Sequence, residues 1–363
     1  MNDLLKPRIR FKGFTDVWEQ RKLNEISNRY DNLRIPVASN EREKGNIPYY
    51  GANGIQDYVK GFTHSGEFVL IAEDGANDLK NYPVKYVNGL FWANNHVHVV
   101  QGKESICNNK YLKYCFSKTN IESLLVGGGR SKLNANIMMN IDLKLPKIKE
   151  QESIGKMFYE IDNLITLHQR KCDKLVELKK SLLEKMFPKN SFNTPEIRFK
   201  GFTDVWEQRK LGHLTNITMG QSPDSNNYTD NSNDTLLIQG NADLNNGIVV
   251  PRIWSTQITK KSYPNDIIFT VRAPVGEVAR STYFSTIGRG VAAFKGNDFL
   301  YQFLQKMKIQ NYWNNISAGS TFDSINSEQL KNVLISTPHN SKEKDKIGEL
   351  FNNIDNLITL HQH

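Results

Sequence analysis

A fifteen-residue segment occurs twice in this chain of 363 residues, without a single difference between the copies. The letters IRFKGFTDVWEQRKL run from Ile9 to Leu23 and again from Ile197 to Leu211, 188 residues later. A second identical pair, IDNLITLHQ, begins at Ile161 and again 193 residues later at Ile354. The near-equal spacings predict two units of similar length, each large enough to bury its own core.

Between these constant segments the two halves of the chain have little in common, as a comparison of residues 23–146 with residues 211–338 shows. The pattern indicates a constant scaffold that carries two unlike heads with different targets. Gene duplication with drift is the alternative, although drift should not spare the flanks while erasing the middle. A short-period solenoid is excluded, because such arrays repeat every 20 to 50 residues or so.

A long helix is predicted from Lys149 to Phe187, where Gly155 is the single glycine and no proline occurs before Pro188. At about 1.5 Å per residue it would run for roughly 55 to 60 Å, too long for one small domain to enclose. The second copy begins in the same way and reaches His363, so the distal helix is expected to be short or incomplete. The apolar positions expected to pack on a partner helix are Ile154, Phe158, Ile161, Ile165, Leu175, Leu182, Ile347, Phe351, Ile354 and Ile358.

The two helices are expected to pair with each other in antiparallel orientation, with one head at each end. His168 interrupts the apolar stripe of the first helix, and Cys172 lies on it. A histidine in this place can be a ligand or a base, but a partly buried structural role is the favoured interpretation. Cys172 is interpreted as a small core residue.

Each head is predicted to be mixed α+β, because short alternating runs between Gly and Asn turns are typical of strands. The predicted strands are 67–72, 95–100, 235–239, 266–272 and 291–294, and the predicted helices lie near 109–125 and 299–313. The fold class is therefore α+β: two mixed α/β recognition domains, separated by long helical spacers that form an antiparallel coiled coil, with a pseudo-twofold internal repeat. The expected domains are 1–147, a central spacer 148–194, a second head with its leading segment 195–339, and a distal spacer 340–363.

The charge balance, 47 Lys and Arg against 38 Asp and Glu, gives a net charge of +9 and favours a polyanionic partner without identifying it. Arg and Lys suit guanine edges and phosphates, whereas Asn and Gln suit adenine edges. Gly-containing turns near Gly127 and Gly319 are either phosphate-binding or plain connecting turns. The candidate DNA-binding residues, each of which could equally be a solvated surface position, are Asn94, Asn95, Arg130, Ser131, Lys132, Asn134, Gln221, Ser222, Arg272, Arg280, Arg289, Ser320 and Thr321.

Catalytic motifs are missing from the sequence. Asn46–Tyr49 is similar to the Asn-Pro-Pro-Tyr loop of adenine methyltransferases, but it lacks the second proline and a Gly-rich turn for a methyl donor. Gly127–Lys132 lacks the ending of a P-loop, and the adjacent Glu73 and Asp74 would point to opposite faces of a strand. We therefore expect a non-enzyme without a metal site.

The cysteines and the hydropathy pattern favour a cytoplasmic protein. Three cysteines without a Cys-x-x-Cys pair fit a reducing compartment. The first residues lack the apolar core of a signal peptide, and no apolar run is long enough to span a membrane.

The alternation of constant and variable segments resembles the layout of specificity subunits of type I restriction-modification systems, over essentially the whole chain. The duplicated RFKGFTDVWEQRKL looks like the stretch that opens each target recognition domain in that family. Arg272–Gly276 and Gly288–Gly290 also resemble strings that recur there. The exit from the second head departs from the family pattern, because Lys344 stands where a glutamine is expected.

The resemblance implies that each head reads one half of a bipartite, asymmetric DNA site. It implies two methyltransferase subunits that bring S-adenosylmethionine for adenine methylation, and motor-nuclease subunits that use ATP and Mg²⁺, with no cofactor in this chain. The alternative function is a non-enzymatic scaffold whose two heads bind proteins.

Overall fold

The protein, described here from a computed structural model, divides into two compact units, residues 1–166 and 167–363. The structure describes residues 7–128, 131–189, 192–317 and 324–362. Within these ranges no helix is long and apolar enough to cross a membrane. The expected fold class, two mixed α/β units and a long helix, is confirmed.

Unit 1 is built on a six-stranded sheet of order β2-β7-β5-β6-β3-β4 and a two-stranded sheet that pairs β1 with β8. Its strands are β1 (Glu19–Lys22), β2 (Ser27–Arg29), β3 (Lys44–Gly51), β4 (Gly54–Val59), β5 (His64–Ala72), β6 (Val84–Ala93), β7 (Val97–Gly102) and β8 (Asp142–Leu145). Its helices are α1 (Leu23–Ile26), α2 (Asn109–Phe116), α3 (Ala135–Met139) and the first part of α4 (Ile148–Lys185).

Strand β5 is buried on both faces, which explains its nearly continuous apolar sequence. Val69 and Ile71 point into a core that contains Leu112 of α2. Phe68 and Leu70, on the opposite face, belong to a second core. Because side chains alternate along a strand, one short run serves two cores, and β5 becomes the centre of the unit.

Unit 2 contains a six-stranded sheet of order β10-β20-β17-β18-β14-β13, a five-stranded sheet of order β11-β15-β12-β19-β16 and the pair β21-β9. The strands are β9 (Glu207–Lys210), β10 (Ile217–Met219), β11 (Tyr228–Thr229), β12 (Thr235–Ile238), β13 (Leu244–Asn245), β14 (Ile248–Val249), β15 (Trp254–Ser255), β16 (Lys261–Ser262), β17 (Ile267–Thr270), β18 (Val278–Arg280), β19 (Ser285–Ile287), β20 (Val291–Phe294) and β21 (Leu334–Thr337). The helices, beside the end of α4, are α5 (Leu211–Leu214), α6 (Asp298–Ile309), α7 (Tyr312–Ser317), α8 (Ser327–Lys331) and α9 (Ser341–Gln362).

In unit 2 the end of α4 packs on α9, and the two segments run antiparallel. Nδ1 of His168 lies 2.9 Å from Nδ1 of His361, whereas the rings of Phe187 and Phe351 stack with centroids 5.9 Å apart. The contacting residues have rising numbers along α4 and falling numbers along α9, so the two segments are antiparallel, as the sequence predicts for the spacer helices. The stripe residues Leu182, Ile347, Phe351, Ile354 and Ile358 all contribute to this core, and Leu175 is half-buried.

Each unit is closed by pairing the strand that leads into its head with the strand that leads out. The duplicated EQRK forms β1, whose Lys22 pairs with Asp142 of β8. It also forms β9, whose Lys210 pairs with Leu334 of β21. We call the duplicated opening segment, these two strand pairs and the following helix the frame. The two identical EQRK segments therefore form equivalent strands, and each closes its own unit.

A buried ion pair ties each opening segment to the first turn of its helix. Nε and Nη2 of Arg10 donate to Oε1 and Oε2 of Glu150 at 2.6 and 2.7 Å. In the same bidentate way, Nε and Nη2 of Arg198 donate to Oε1 and Oε2 of Glu343 at 2.6 and 2.8 Å. Glu150 is 1% exposed and Glu343 is fully buried, so each carboxylate depends on its arginine for compensation.

The late helix of each head is shorter than the sequence predicts. In unit 2 the expected helix 299–313 is interrupted between α6 and α7, where Asn311 has φ +53°. Asparagine tolerates this left-handed conformation better than most residues, which makes it a suitable break point. In unit 1, α2 ends at Phe116, and only a 3₁₀ turn follows at Glu122–Leu124.

Replacing Arg198 by Met should lower the free energy of unfolding of unit 2 by about 3 kcal/mol, because Glu343 would remain buried without its partner. Differential scanning calorimetry measures the change. Arg209→Met is the matched control, since Arg209 is 46% exposed and lies 3.9 Å from Glu207; its effect should stay within about 0.5 kcal/mol. Equal losses in the two variants would contradict a special role for the buried pair.

Candidate nucleic-acid interface

Three groups of predicted residues in the second head come together at one edge of the six-stranded sheet. β10 and β17 both run antiparallel to β20. The ends of β10 and β17 therefore lie beside the start of β20, where Thr270 pairs with Val291. Gln221 and Ser222 follow β10, Arg272 follows β17, and Arg289 precedes β20. The side chains of Gln221, Arg272 and Arg289 are exposed there.

The Gly288–Gly290 loop is held through its backbone amides, and the Arg289 side chain is exposed. The Arg289 amide donates to Oγ of Ser222 at 3.2 Å, and the Gly288 amide donates to the Ile238 carbonyl at 2.7 Å. A Cβ on Gly290 would lie 2.1 Å from the carbonyl oxygen of Gln239. Only glycine allows this approach, so the loop presents a single arginine from a tightly fixed backbone.

The loop that carries Arg272 is anchored from behind by a buried tryptophan. Gly276 has φ +94°, and a Cβ there would lie 2.1 Å from Cδ1 of Trp313. Trp313 is itself 1% exposed. Close packing of the Gly276 backbone on this ring fixes the β17–β18 loop and holds the exposed Arg272 at the sheet edge.

Arg280 lies at the opposite end of β18, away from this group, since it pairs with Ile267 at the start of β17. Its guanidinium donates to the carbonyls of Asn265 and Gly296 at 2.9 and 2.7 Å and to Asp298 at 2.7 Å. These contacts engage the Arg280 guanidinium within unit 2. The structure therefore separates Arg280 from the other predicted residues of the second head.

Gln239 is a residue of this edge that sequence reasoning missed. It follows β12, and its backbone touches both Gly288 and Gly290. Its Nε2 is buried without a hydrogen-bond partner among the described residues. Unpaired buried donors are rare and call for an explanation. The sequence shows a glutamine directly after a predicted apolar strand, but it does not show that this glutamine lies beside the Gly288–Gly290 loop.

In the first head, Asn94 and Asn95 form a turn that is braced by charged side chains. Asn94 is 3% exposed, and its Oδ1 accepts a hydrogen bond from the His96 amide at 2.8 Å. Nδ1 of His96 lies 2.5 Å from Oδ1 of Asp74. Nη1 of Arg34 donates to the Val97 carbonyl at 2.7 Å. These contacts fix the position of the turn, and Asn95 is exposed on it.

Glu73 brings the second predicted group of this head next to that turn. Its Oε1 lies 2.6 Å from Nζ of Lys132, and its Oε2 accepts from Nη1 of Arg34 at 2.5 Å. Its carbonyl accepts from the Leu133 amide at 2.7 Å. Ser131 is half-buried, whereas Lys132 and Asn134 are exposed. Arg130, Gly319, Ser320 and Thr321 lie outside the described residues.

Asp31, Glu73 and His98 are spaced closely enough to act as metal ligands, with ligand atoms within 4.8 Å of one another. Their polar atoms are already bonded within the protein. Nδ1 of His98 lies 2.7 Å from Oδ2 of Asp31, and Nε2 of His98 lies 2.8 Å from the Leu133 carbonyl oxygen. Arg34 and Lys132 compensate the Glu73 carboxylate. The cluster is therefore a structural ion network beneath the Asn94–Asn95 turn.

The network lowers the pKa of both carboxyl groups. Burial alone would raise the pKa of Asp31, but hydrogen bonds from the His98 ring and the Val99 amide outweigh it. Burial likewise opposes ionisation of Glu73, and hydrogen bonds from Lys132 and Arg34 hold its pKa below the ordinary value. Both groups consequently stabilise the folded head in their ionised form.

Comparisons with known proteins agree with this architecture. The model of the type I restriction modification DNA specificity domain matches residues 15–177 and 203–363. A protein of Haemophilus influenzae described as a type I restriction enzyme specificity subunit is 49% identical over 139 residues, which are 38% of this chain and 36% of that protein.

Two further similarities cover more of the chain. The MjaX specificity subunit of Methanocaldococcus jannaschii is 28% identical over 263 residues, 69% of this chain and 61% of that protein. The chain thus spans about a third and about three fifths of these two relatives. The crystal structure of the S subunit from M. genitalium has a TM-score of 0.75 at 11% identity and covers 98% of this chain and 94% of its own, which shows the fold.

Acidification should destabilise unit 1, because Asp31 and Glu73 have lowered pKa values in the folded state. Their contribution is complete above the ordinary pKa of 4.5 for Glu and is lost as the pH falls through the folded values. Glu73→Gln should remove part of this pH dependence in calorimetric unfolding between pH 7 and pH 3. Glu43→Gln is the control, since Glu43 is 74% exposed. An unchanged pH dependence in Glu73→Gln would be inconsistent with the network.

Proposed function

The chain belongs to the type I restriction modification DNA specificity family, and we propose that it acts as the DNA-reading subunit of such a system. Each head reads one half of a bipartite, asymmetric site. The chain itself makes and breaks no bond in the DNA. It directs adenine methylation and restriction by subunits that bind to it.

The observation that carries this proposal is the pair of equivalent frames, each opened by the same fifteen residues, around two unlike heads. Both frames use the EQRK strand and the bidentate Arg–Glu pair. The heads that they hold differ in sheet order and in the chemistry of their exposed loops. An asymmetric DNA site in two parts calls for two domains of different sequence preference, and two unlike heads on equivalent frames meet this requirement.

The proposed contacts with DNA are the exposed residues of the two groups described above, together with the half-buried Ser131, Ser222 and Gln239. Arginine suits the O6 and N7 acceptors of guanine, and the amides of Asn and Gln suit adenine. Backbone amides and Ser or Lys side chains position the duplex through its phosphates. The proposed set is Asn95, Ser131, Lys132 and Asn134 in the first head and Gln221, Ser222, Gln239, Arg272 and Arg289 in the second, together with Arg130, Ser320 and Thr321.

We further propose the partners that this function requires. Two methyltransferase subunits supply S-adenosylmethionine, and motor-nuclease subunits supply ATP and Mg²⁺ chemistry. The chain needs no cofactor of its own to bind DNA. The three unpaired cysteines suit a cytoplasmic protein.

Arg289→Ala should weaken binding of the assembled methyltransferase complex to its site about tenfold, because a bidentate arginine contact contributes about 1–3 kcal/mol. Fluorescence anisotropy with a labelled duplex, titrated at two salt concentrations, measures the loss. Arg209→Ala serves as the matched control, since Arg209 is 46% exposed on the frame strand β9. If both variants bind equally well, Arg289 does not read DNA.

Replacing residues 24–146 by the corresponding segment of another specificity subunit should change one half of the methylated site and leave the other half intact. The reason is that each head closes on its own frame and has its own core. Methylome sequencing of a host that expresses the chimaera gives the result. A change in both half-sites would refute independent reading, and methylation without sequence preference would favour the protein-binding scaffold.

A further inference from the structure

One end of the five-stranded sheet in unit 2 brings together residues that precede two strands and residues that follow two others. β12 and β19 are neighbours and run parallel, with Ile238 beside Ile287 at their ends. β15 runs antiparallel to β12, and β16 runs antiparallel to β19. The residues just before β15 and β16 therefore lie at the same end of the sheet as those just after β12 and β19.

Four polar residues form a row across this end. In the order of the sheet they are Arg252 before β15, Gln239 after β12, Arg289 after β19 and Lys260 before β16. The three cationic side chains are exposed. Since neighbouring strands lie about 4.8 Å apart, the three steps from Arg252 to Lys260 span about 14 Å. The row has a cation at each margin, with a carboxamide and a guanidinium between them.

Hydrogen bonds and an ion pair hold the members of this row in place. Oδ2 of the buried Asp243 accepts from the Gln239 amide at 2.7 Å. Oδ1 of Asp243 lies 3.5 Å from Nη1 of Arg252, whose side chain is still 48% exposed. At the other margin, the Lys260 carbonyl accepts from the Ile287 amide at 2.8 Å. The backbone positions are thus fixed, while the cationic groups stay at the surface.

The Gln239 carboxamide is the member of the row that the folded chain alone does not satisfy. Its Nε2 is buried without a hydrogen-bond partner among the described residues. Such a donor costs free energy, and an apolar side chain of the same shape would avoid that cost. Packing therefore does not explain an amide at this position, whereas a ligand that offers an acceptor does.

We propose, resting on the function proposed above, that this row spans the major groove at the second half-site and that Gln239 reads an adenine there. The side chain turns outward, so that Nε2 donates to N7 and Oε1 accepts from N6 of the base. Arg289, beside it, contacts a neighbouring guanine. Arg252 and Lys260 bind phosphates on opposite sides of the groove, whose width of about 12 Å is close to their separation of about 14 Å.

Gln239→Met tests the base contact, because methionine keeps the length of the side chain and removes its amide. The chain is assembled with its methyltransferase subunits and offered competing duplexes, each with one base pair of the second half-site changed. Discrimination at one A·T pair should fall about fivefold or more. The unfolding temperature of the free chain should stay the same or rise, since Nε2 has no partner to lose. Gln208→Met, exposed on the frame strand β9, is the control and should change neither quantity.

Arg252→Ala and Lys260→Ala test the phosphate contacts. Fluorescence anisotropy between about 50 and 200 mM KCl gives the slope of the logarithm of the binding constant against the logarithm of salt concentration. Each variant should flatten this slope by about 0.9 and weaken binding to every duplex of the series by one common factor. Arg209→Ala is the matched control, since the Arg209 and Arg252 side chains are 46% and 48% exposed, and it should leave the slope unchanged.

Three results would overturn the assignment while the wild-type complex keeps its sequence preference. The first is full discrimination at every base pair with Gln239→Met. The second is a lowered unfolding temperature in that variant, which would make the amide a structural group. The third is an unchanged salt slope in both Arg252→Ala and Lys260→Ala. A wild-type complex that binds all duplexes equally would instead refute the proposed function, and the assignment with it.

Discussion

The bidentate pairs between Arg10 and Glu150 and between Arg198 and Glu343 are the constraint on which each unit depends. A carboxylate buried as deeply as Glu343 is costly unless a partner compensates it with good geometry. The guanidinium supplies two parallel hydrogen bonds, which fix orientation as well as distance. Each pair therefore holds the start of a unit against the first turn of the helix that leaves it.

Once the opening segment and the first turn of the following helix are held together, the residues of the head between them need only connect two points at a fixed distance. The strand pairs β1–β8 and β9–β21 complete that closure with backbone hydrogen bonds, which place no demand on the side chains of the heads. Two heads with different sheets can therefore be joined to equivalent frames. The first head stabilises its exposed turn with an ion network around Glu73, whereas the second uses glycines that admit close backbone contacts at Gly276 and Gly290.

The sequence predicts the repeat, the long helix and five of the strands, because these follow from local sequence patterns. β20 matches its predicted range of 291–294, and α4 ends before Pro188 as expected. It does not predict which exposed arginines share a surface. Arg272 and Arg280 are eight residues apart and alike in composition of surroundings, yet strand direction sends them to opposite ends of the sheet. The place of Gln239 at this sheet edge and the packing of Phe187 on Phe351 were not predicted for the same reason, since the residues that they contact are distant in sequence.

The two copies of IDNLITLHQ show that identical letters do not dictate identical burial. Ile354 is 6% exposed, whereas Ile161 is 42% exposed. Both copies are nevertheless helical. In both units the shared aspartate joins this helix to the late helix of the head: Asp162 bonds to Lys113 and Tyr114 of α2, and Asp355 accepts from Gln302 of α6. In unit 2 the end of α4 also packs on the apolar side chains of the helix. The polar contact is thus common to both copies, and the difference in burial follows from the apolar packing that only the second copy has among the described residues.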